Sequence, residues 1–167
     1  MSSPDAAHAI VVGVDGSAGS DAALRWALAE ARLRAVLVRA VNAYQSPLLL
    51  ADGVAMGAPG VFGSAASGED VQRLRSAAEA EARRVLDEAL ARSDALRDGV
   101  EVEAEAVEGP PAESLLRAGR GAELLVVGSR GRGGFAGLLL GSVSQQCAQH
   151  PPCPVVILPP AKEAVDG

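Results

Sequence analysis

The chain has 167 residues, of which 49% are hydrophobic but only 2% aromatic, and its formal net charge is -6. That length suits a single domain over residues 1–167, with a core that must be built from Ala, Val and Leu. The acidic balance argues against a general nucleic-acid binder, which needs a basic surface for the phosphate backbone. No run approaches the ~20 apolar residues of a membrane span, and "MSSPDAAHAI" lacks the basic and apolar regions of a signal peptide. The expectation is a cytoplasmic protein with no nucleic-acid or membrane partner. Cys147 and Cys153 have no metal-type spacing and read as buried free thiols of a reducing compartment.

Strand and helix signals alternate along the chain. "AIVVGVD" (residues 9–15) is a continuous apolar run of the kind buried on both faces of a parallel sheet. Ser17 and Ser20 offer caps for a helix over 21–34, with Leu24, Leu28 and Ala31 on one stripe. A second strand is predicted at 35–41, following that helix almost without a turn. Residues 42–66, rich in Gly, Ala, Ser and Pro, read as a long loop of the kind that serves as a functional lid or mobile segment. "SGED" at 67–70 starts a long helix whose stripe is Val71, Leu74, Ala78, Val85 and Leu86, ended by Gly99. "VEVEAEAV" (100–107) alternates strictly, as at a sheet edge with one solvated face. Pro110 and Pro111 open a short helix that stops at Gly119 or Gly121. "ELLVV" is the fourth strand, 142–149 the last helix, "PVVIL" the fifth strand, and 160–167 a flexible tail. The predicted fold is α/β, a doubly wound five-stranded parallel sheet with helices on both faces. Ligands of such sheets bind beyond the carboxyl ends of the strands, where Asp15, Val41 and Gly128 fall.

The stretch "VVGSRGRGGFAGLLLGSVSQQ" (126–146) carries six of the 19 glycines. Glycine permits positive φ and lets a ligand reach main-chain N–H groups. A helix that begins at Gly141-Ser142 adds unpaired N–H groups and the positive end of its dipole. With the Ser142 hydroxyl and the charges of Arg130 and Arg132, the combination suits an anion, above all phosphate. It is not a P-loop: GxxxxGK[ST] is absent, and Lys162 is the only lysine. Gly131, Gly133 and Ala136 do spell G-x-G-x-x-A, but after the fourth strand and without the acidic residue about 20 positions on that a dinucleotide site expects.

The spacing Gly128, two residues, Gly131, nine residues, Gly141-Ser142 resembles the G-2x-G-9x-G-[ST] pattern of the ATP-binding branch of the universal stress protein family. "IVVGVDGS", "EGPPAESLL" and "GSVSQQCAQHPPCPVVIL" resemble that family's first strand, its G-x-P-A-x-x-[IL] helix start and its C-terminal segment, in that order. The resemblance implies an adenine nucleotide, ATP, lying across the strand ends, with any Mg2+ held mainly by its phosphates. Gly13, Val14 and Asp15 would face the adenine and ribose side, and Val41 would meet the adenine. Gly128, Arg130, Gly131, Arg132, Gly141, Ser142, Val143 and Ser144 would hold the phosphates. Asp15 also reads as a helix cap, Arg130 and Arg132 as solubilising charges, and Ser144 as closing a helical turn. His150, before two prolines, reads as a helix C-cap rather than a catalyst. Two functions stay open: a non-enzymatic, nucleotide-dependent regulatory or sensor protein in stress response, and a slow ATP hydrolase or nucleotidyl-transferring enzyme on the same fold. No catalytic pair is brought together by the layout, which favours the first. The resemblance also implies a two-fold homodimer through the last strand, 155–158, an apolar sheet edge open to pairing. Side chains at Gly128 and Gly131 are expected to block the ligand and leave the fold intact.

Overall fold

The structure is a computed structural model that describes residues 8–46, 67–133 and 137–160. Five strands form one sheet: β1 (Ala9–Gly13), β2 (Leu37–Tyr44), β3 (Val102–Glu108), β4 (Leu124–Gly128) and β5 (Val155–Leu158). All four strand pairs are parallel, in the order β3-β2-β1-β4-β5. Among the described residues the connecting helices are α1 (Ala18–Arg34), α2 (Gly68–Arg92), α3 (Pro111–Ala118) and α4 (Ser142–Gln149), with a 3-10 turn at Asp94–Leu96. This is the doubly wound α/β sheet that the strand-helix alternation predicts. The chain winds outward from β1 to β3, then returns to β1's other side with β4, so the switch point lies between β1 and β4.

Alternate residues of each strand enter opposite cores because side chains alternate across a sheet. Ile10, Val12, Val38, Ala40, Leu124 and Val126 face α1 and α2, where they pack with Leu24, Leu28, Val85 and Leu86. Val11, Val41, Leu125 and Val127 face α3 and α4, against Leu115 and Cys147. With almost no aromatic volume to fill gaps, the first core closes by close approach: Ala23, Ala27, Ala31, Ala82 and Ala89 are all buried on the facing helices.

Several boundaries differ from expectation. Ala35 does not open β2; it caps α1 at φ 55°, a left-handed conformation, and β2 starts two residues later. β2 then runs to Tyr44, so Val41 lies inside the strand, and Asn42, Ala43 and Tyr44 belong to it rather than to a loop. They are held by pairing with Ala106, Val107 and Glu108 of β3. Leu48, Leu49, Leu50, Phe62 and the rest of 47–66, like 161–167, lie outside the described residues. Helix α2 begins as expected, with a Ser67–Asp70 capping box, but ends at Arg92 well before Gly99. There Arg32 donates to the carbonyls of Leu96 and Asp98 and draws the chain back over the end of α1. Gly99 instead turns the chain into β3 at φ 74°. Only the second half of the α2 stripe is buried; Leu74 is 44% exposed and Leu86 1%. As expected, β3 is an edge strand, with Glu103 and Glu105 pointing outward. In chemical denaturation, Leu86→Ala should lose about 2–5 kcal/mol of stability. Leu74→Ala, on the same helix, should stay within about 0.5 kcal/mol of wild type.

Candidate functional site

A cavity of about 490 Å³ opens at the switch point, over the carboxyl ends of β1 and β4. Gly13, Val14, Asp15, Val41, Gly128, Arg130, Gly131, Arg132, Gly141, Ser142, Val143 and Ser144 all line it. Residues more than a hundred positions apart in the chain are thus brought to one crevice. The cavity is also lined by Ser17, Ser20, Ala43, Pro111, Leu115, Val127 and Leu138, which sequence reasoning did not assign to the site. Ser17 and Ser20 were legible only as caps, and Pro111 and Leu115 only as a helix start and its apolar face.

One end of the cavity is apolar. Val41, Ala43, Pro111, Leu115 and Val127 form its walls, and a Cβ at Gly13 would lie 2.9 Å from Leu115 Cδ1. The Val41 carbonyl is already taken, since it accepts the Val14 N–H at 2.9 Å. β1 stops at Gly13 while β2 continues, and in the parallel register the odd-numbered residues of β2 direct their N–H and C=O toward β1. Ala43 therefore presents both groups to the cavity, paired with no described residue.

The other end is built of backbone. Helix α4 begins at the N-cap Gly141 with no side-chain cap. The N–H groups of Ser142, Val143 and Ser144 therefore have no intrahelical acceptor, and the first bond of the helix is Gln145 N–H to the Gly141 carbonyl at 2.9 Å. The Ser144 hydroxyl is not available to a ligand. It is buried and donates to the carbonyls of Ser129, at 2.8 Å, and Gly141, at 3.0 Å. The Ser129 carbonyl also accepts the Gly141 N–H at 2.6 Å, which closes the nine-residue spacer into a loop. Ser129 itself is anchored through its N–H to Leu158 of β5. Arg130 is half-buried and Arg132 exposed, and neither forms an ion pair among the described residues. The Arg132 guanidinium lies over the β1–α1 turn, with Nη2 2.7 Å from where a Cβ of Gly16 would stand.

The three spaced glycines have different physical reasons, and none has positive φ. A Cβ at Gly128 would lie 2.8 Å from the Gly19 carbonyl carbon, so this glycine admits the backbone of α1. A Cβ at Gly131 would lie 2.5 Å from Asp15 Oδ2. At Gly141 a Cβ would meet only ordinary contacts, 3.5 Å or longer. The expectation that side chains at Gly128 and Gly131 leave the fold intact is therefore corrected: Gly128 is closed by backbone that cannot swing aside.

Asp15 sits at the centre of this packing. Its Oδ1 accepts the Ser17 N–H at 2.9 Å and its Oδ2 the Arg132 N–H at 3.1 Å. Burial alone would raise the carboxyl's pKa. Hydrogen bonds from Ser17, Ser20 and Arg132 together overcome that and hold it below the usual carboxylate range. It does not cap α1; the Ser17 side chain does, by accepting the Ser20 N–H.

Elsewhere the chemistry is sparse. Cys147 is buried, and burial pushes its thiol up to about 11. Cys153 is only half-buried, which corrects the expectation for that residue. His150 is the C-cap of α4, as expected, at the end remote from the cavity. No cluster of potential metal ligands occurs among the described residues, and no described helix is long and apolar enough to cross a membrane. A shallow depression of about 520 Å³ runs along Pro151 to Val155 and Ile157, beside the open edge of β5.

Sheet and cleft together define a doubly wound α/β protein with an anion-suited crevice at its switch point. The chain belongs to the universal stress protein family, whose family profile matches residues 7–159. It is similar to universal stress protein Rv2005c of Mycobacterium tuberculosis, at 33% identity over 95% of this chain and 50% of that protein. The chain therefore spans about half the length of such curated relatives. Among solved structures it is similar to a universal stress protein family member from Burkholderia pseudomallei, at 29% identity and a TM-score of 0.62, covering 95% of this chain and 100% of that one. A universal stress protein solved in complex with cAMP is similar at 25% identity and a TM-score of 0.62, covering 93% and 99% of the two chains.

Two single substitutions separate packing from access. Gly128→Ala should destabilise the protein by roughly 1–3 kcal/mol, as overpacking does. Gly141→Ala should cost less than about 1 kcal/mol, the difference expected for adding a methyl where there is room. Denaturation midpoints of the two variants check the order.

Proposed function

We propose that this chain is a single-domain, cytoplasmic, ATP-binding universal stress protein that acts as a nucleotide-dependent regulatory or sensor protein in stress response, not as an enzyme. One observation carries the reading: an apolar slot and a set of uncapped helix N–H groups face each other across one cavity, as a flat base joined to an anion requires. The base lies in the slot near Val41 and Ala43, and the ribose near Val14 and Asp15. The phosphates lie on the N–H groups of Ser142 to Ser144 and of Arg130 and Gly131, between the stem at Gly128 and the Arg132 anchor, with Mg2+ held mainly by the phosphates themselves. The solved cAMP complex of a similar family member supports the class of ligand.

Charge-assisted hydrogen bonds are worth roughly 1.5–3 kcal/mol each. Obstructing two N–H groups should therefore cost on the order of 10²–10⁴ in affinity. An exposed arginine-phosphate pair contributes only about 0–1 kcal/mol. In calorimetry with ATP, Gly141→Val should abolish binding and Arg132→Ala should weaken it a few-fold; the opposite ranking would make the site a simple basic patch. Rapid ADP production that stops in Ser142→Ala would replace the sensor reading with a hydrolase.

We further propose a two-fold homodimer through β5. The N–H groups of Val156 and Leu158 point inward to β4, since the Leu125 N–H reaches the Pro154 carbonyl and the Ser129 N–H reaches Leu158. Those of Val155 and Ile157 consequently face the open edge. Val156 packs against the inner core, so it is the wrong place to test the edge. Val155→Pro removes an outward N–H at the first residue of the strand, where proline fits an edge. Light scattering should show a dimer for wild type and a monomer for Val155→Pro. A wild-type monomer at micromolar concentration overturns the assembly.

A further inference from the structure

We infer that Asp15 is a positioning residue: its carboxylate fastens the glycine-rich loop to the β1–α1 turn, and Gly131 lacks a side chain in order to leave that carboxylate its place. The inference deepens the nucleotide reading and rests on it for the consequence on binding, but its geometry stands without a ligand.

The two oxygens of Asp15 face opposite ways. Oδ1 is held by the Ser17 N–H, two residues on, and closes the turn that leads into α1. Oδ2 accepts the Arg132 N–H from 117 residues away. Among the described hydrogen bonds, this is the one that joins the loop between Ser129 and Gly141 to the β1 side of the cavity. Ser129 and Gly141 secure the two stems of the loop and the Arg130 carbonyl packs on Gly19, but among the described residues no other hydrogen bond ties Gly131 to Gly133 to the β1–α1 turn. A methyl at Gly131 would stand 2.5 Å from Oδ2. A carboxylate end can swing away from such a contact, but here swinging away means releasing the Arg132 N–H. Gly131→Ala and Asp15→Ala should therefore break the same bond by two routes. The loop N–H groups then lose the orientation that the proposed phosphate site needs.

The test is a double-mutant cycle on the whole chain, comparing wild type, Asp15→Ala, Gly131→Ala and the double variant. Hydrogen exchange of the Arg132 amide is followed without ligand, and ATP affinity is measured by calorimetry. Each single variant should speed Arg132 exchange by about tenfold or more, the loss expected for one hydrogen bond to a charged group. The double variant should exchange no faster than Asp15→Ala alone, because the two changes share one bond. Asp15→Asn, which keeps an oxygen for the Ser17 N–H but turns an amide toward Arg132, should preserve the turn and still release the loop. Independent, additive effects would overturn the assignment, as would an unchanged Arg132 amide in Gly131→Ala. If wild type binds no ATP, the nucleotide reading fails, and the exchange rates alone decide the positioning role.

Discussion

The architecture depends on one close approach, the backbone of α1 at Gly19 against the end of β4 at Gly128. Neither position has room for a Cβ: at Gly128 it would collide with the Gly19 carbonyl carbon, and at Gly19 it would stand 2.6 Å from the Arg130 carbonyl oxygen. Two glycines in contact let the first turn of α1 lie over the switch point instead of beside it. That position brings Asp15 and Ser17 within reach of the loop after β4, and it sets the width of the cavity. A side chain at either glycine would push α1 outward and part the two walls.

The site is built with little fixed charge. Its donors are mostly main-chain N–H groups, and its half-buried carboxylate, Asp15, is spent on internal hydrogen bonds, so it remains ionised without a paired cation. Most other arginines are engaged on the surface with nearby acids, as in the Glu81–Arg84–Glu88 set on α2 and the two-pronged Arg92–Asp21 contact between α2 and α1. Such exposed pairs contribute little to stability. They do leave Arg130 and Arg132 as the cations facing the cavity, so a net acidic protein still offers an anion a favourable cleft.

The two edges of the sheet are handled differently. β3 turns Glu103 and Glu105 outward, with Arg39 reaching across to Glu103, and charge of that kind discourages pairing with another strand. β5 is short, half-buried and wholly aliphatic, and it carries no such guard.

Much was legible in the order of residues alone. The apolar runs, the capping residue Ser67 and the start of α4 at Ser142 follow from local rules of spacing and hydrogen bonding, and so does the parallel sheet they imply. The strand ends Asp15, Val41 and Gly128 were legible as cavity members, because a doubly wound sheet must gather its strand ends at one place, but the apolar wall of Ala43, Pro111, Leu115 and Val127 was not. The exits of β2 and α2 were not, since strand pairing with β3 and the reach of Arg32 decide them. Nor could spacing distinguish the glycines. Gly128 answers to the backbone of α1 and Gly131 to the carboxylate of Asp15, while at Gly141 a Cβ would meet only ordinary contacts. Local sequence determines which residues can approach closely; which partner each one approaches depends on contacts between segments far apart in the chain, and those exist only once the sheet has assembled.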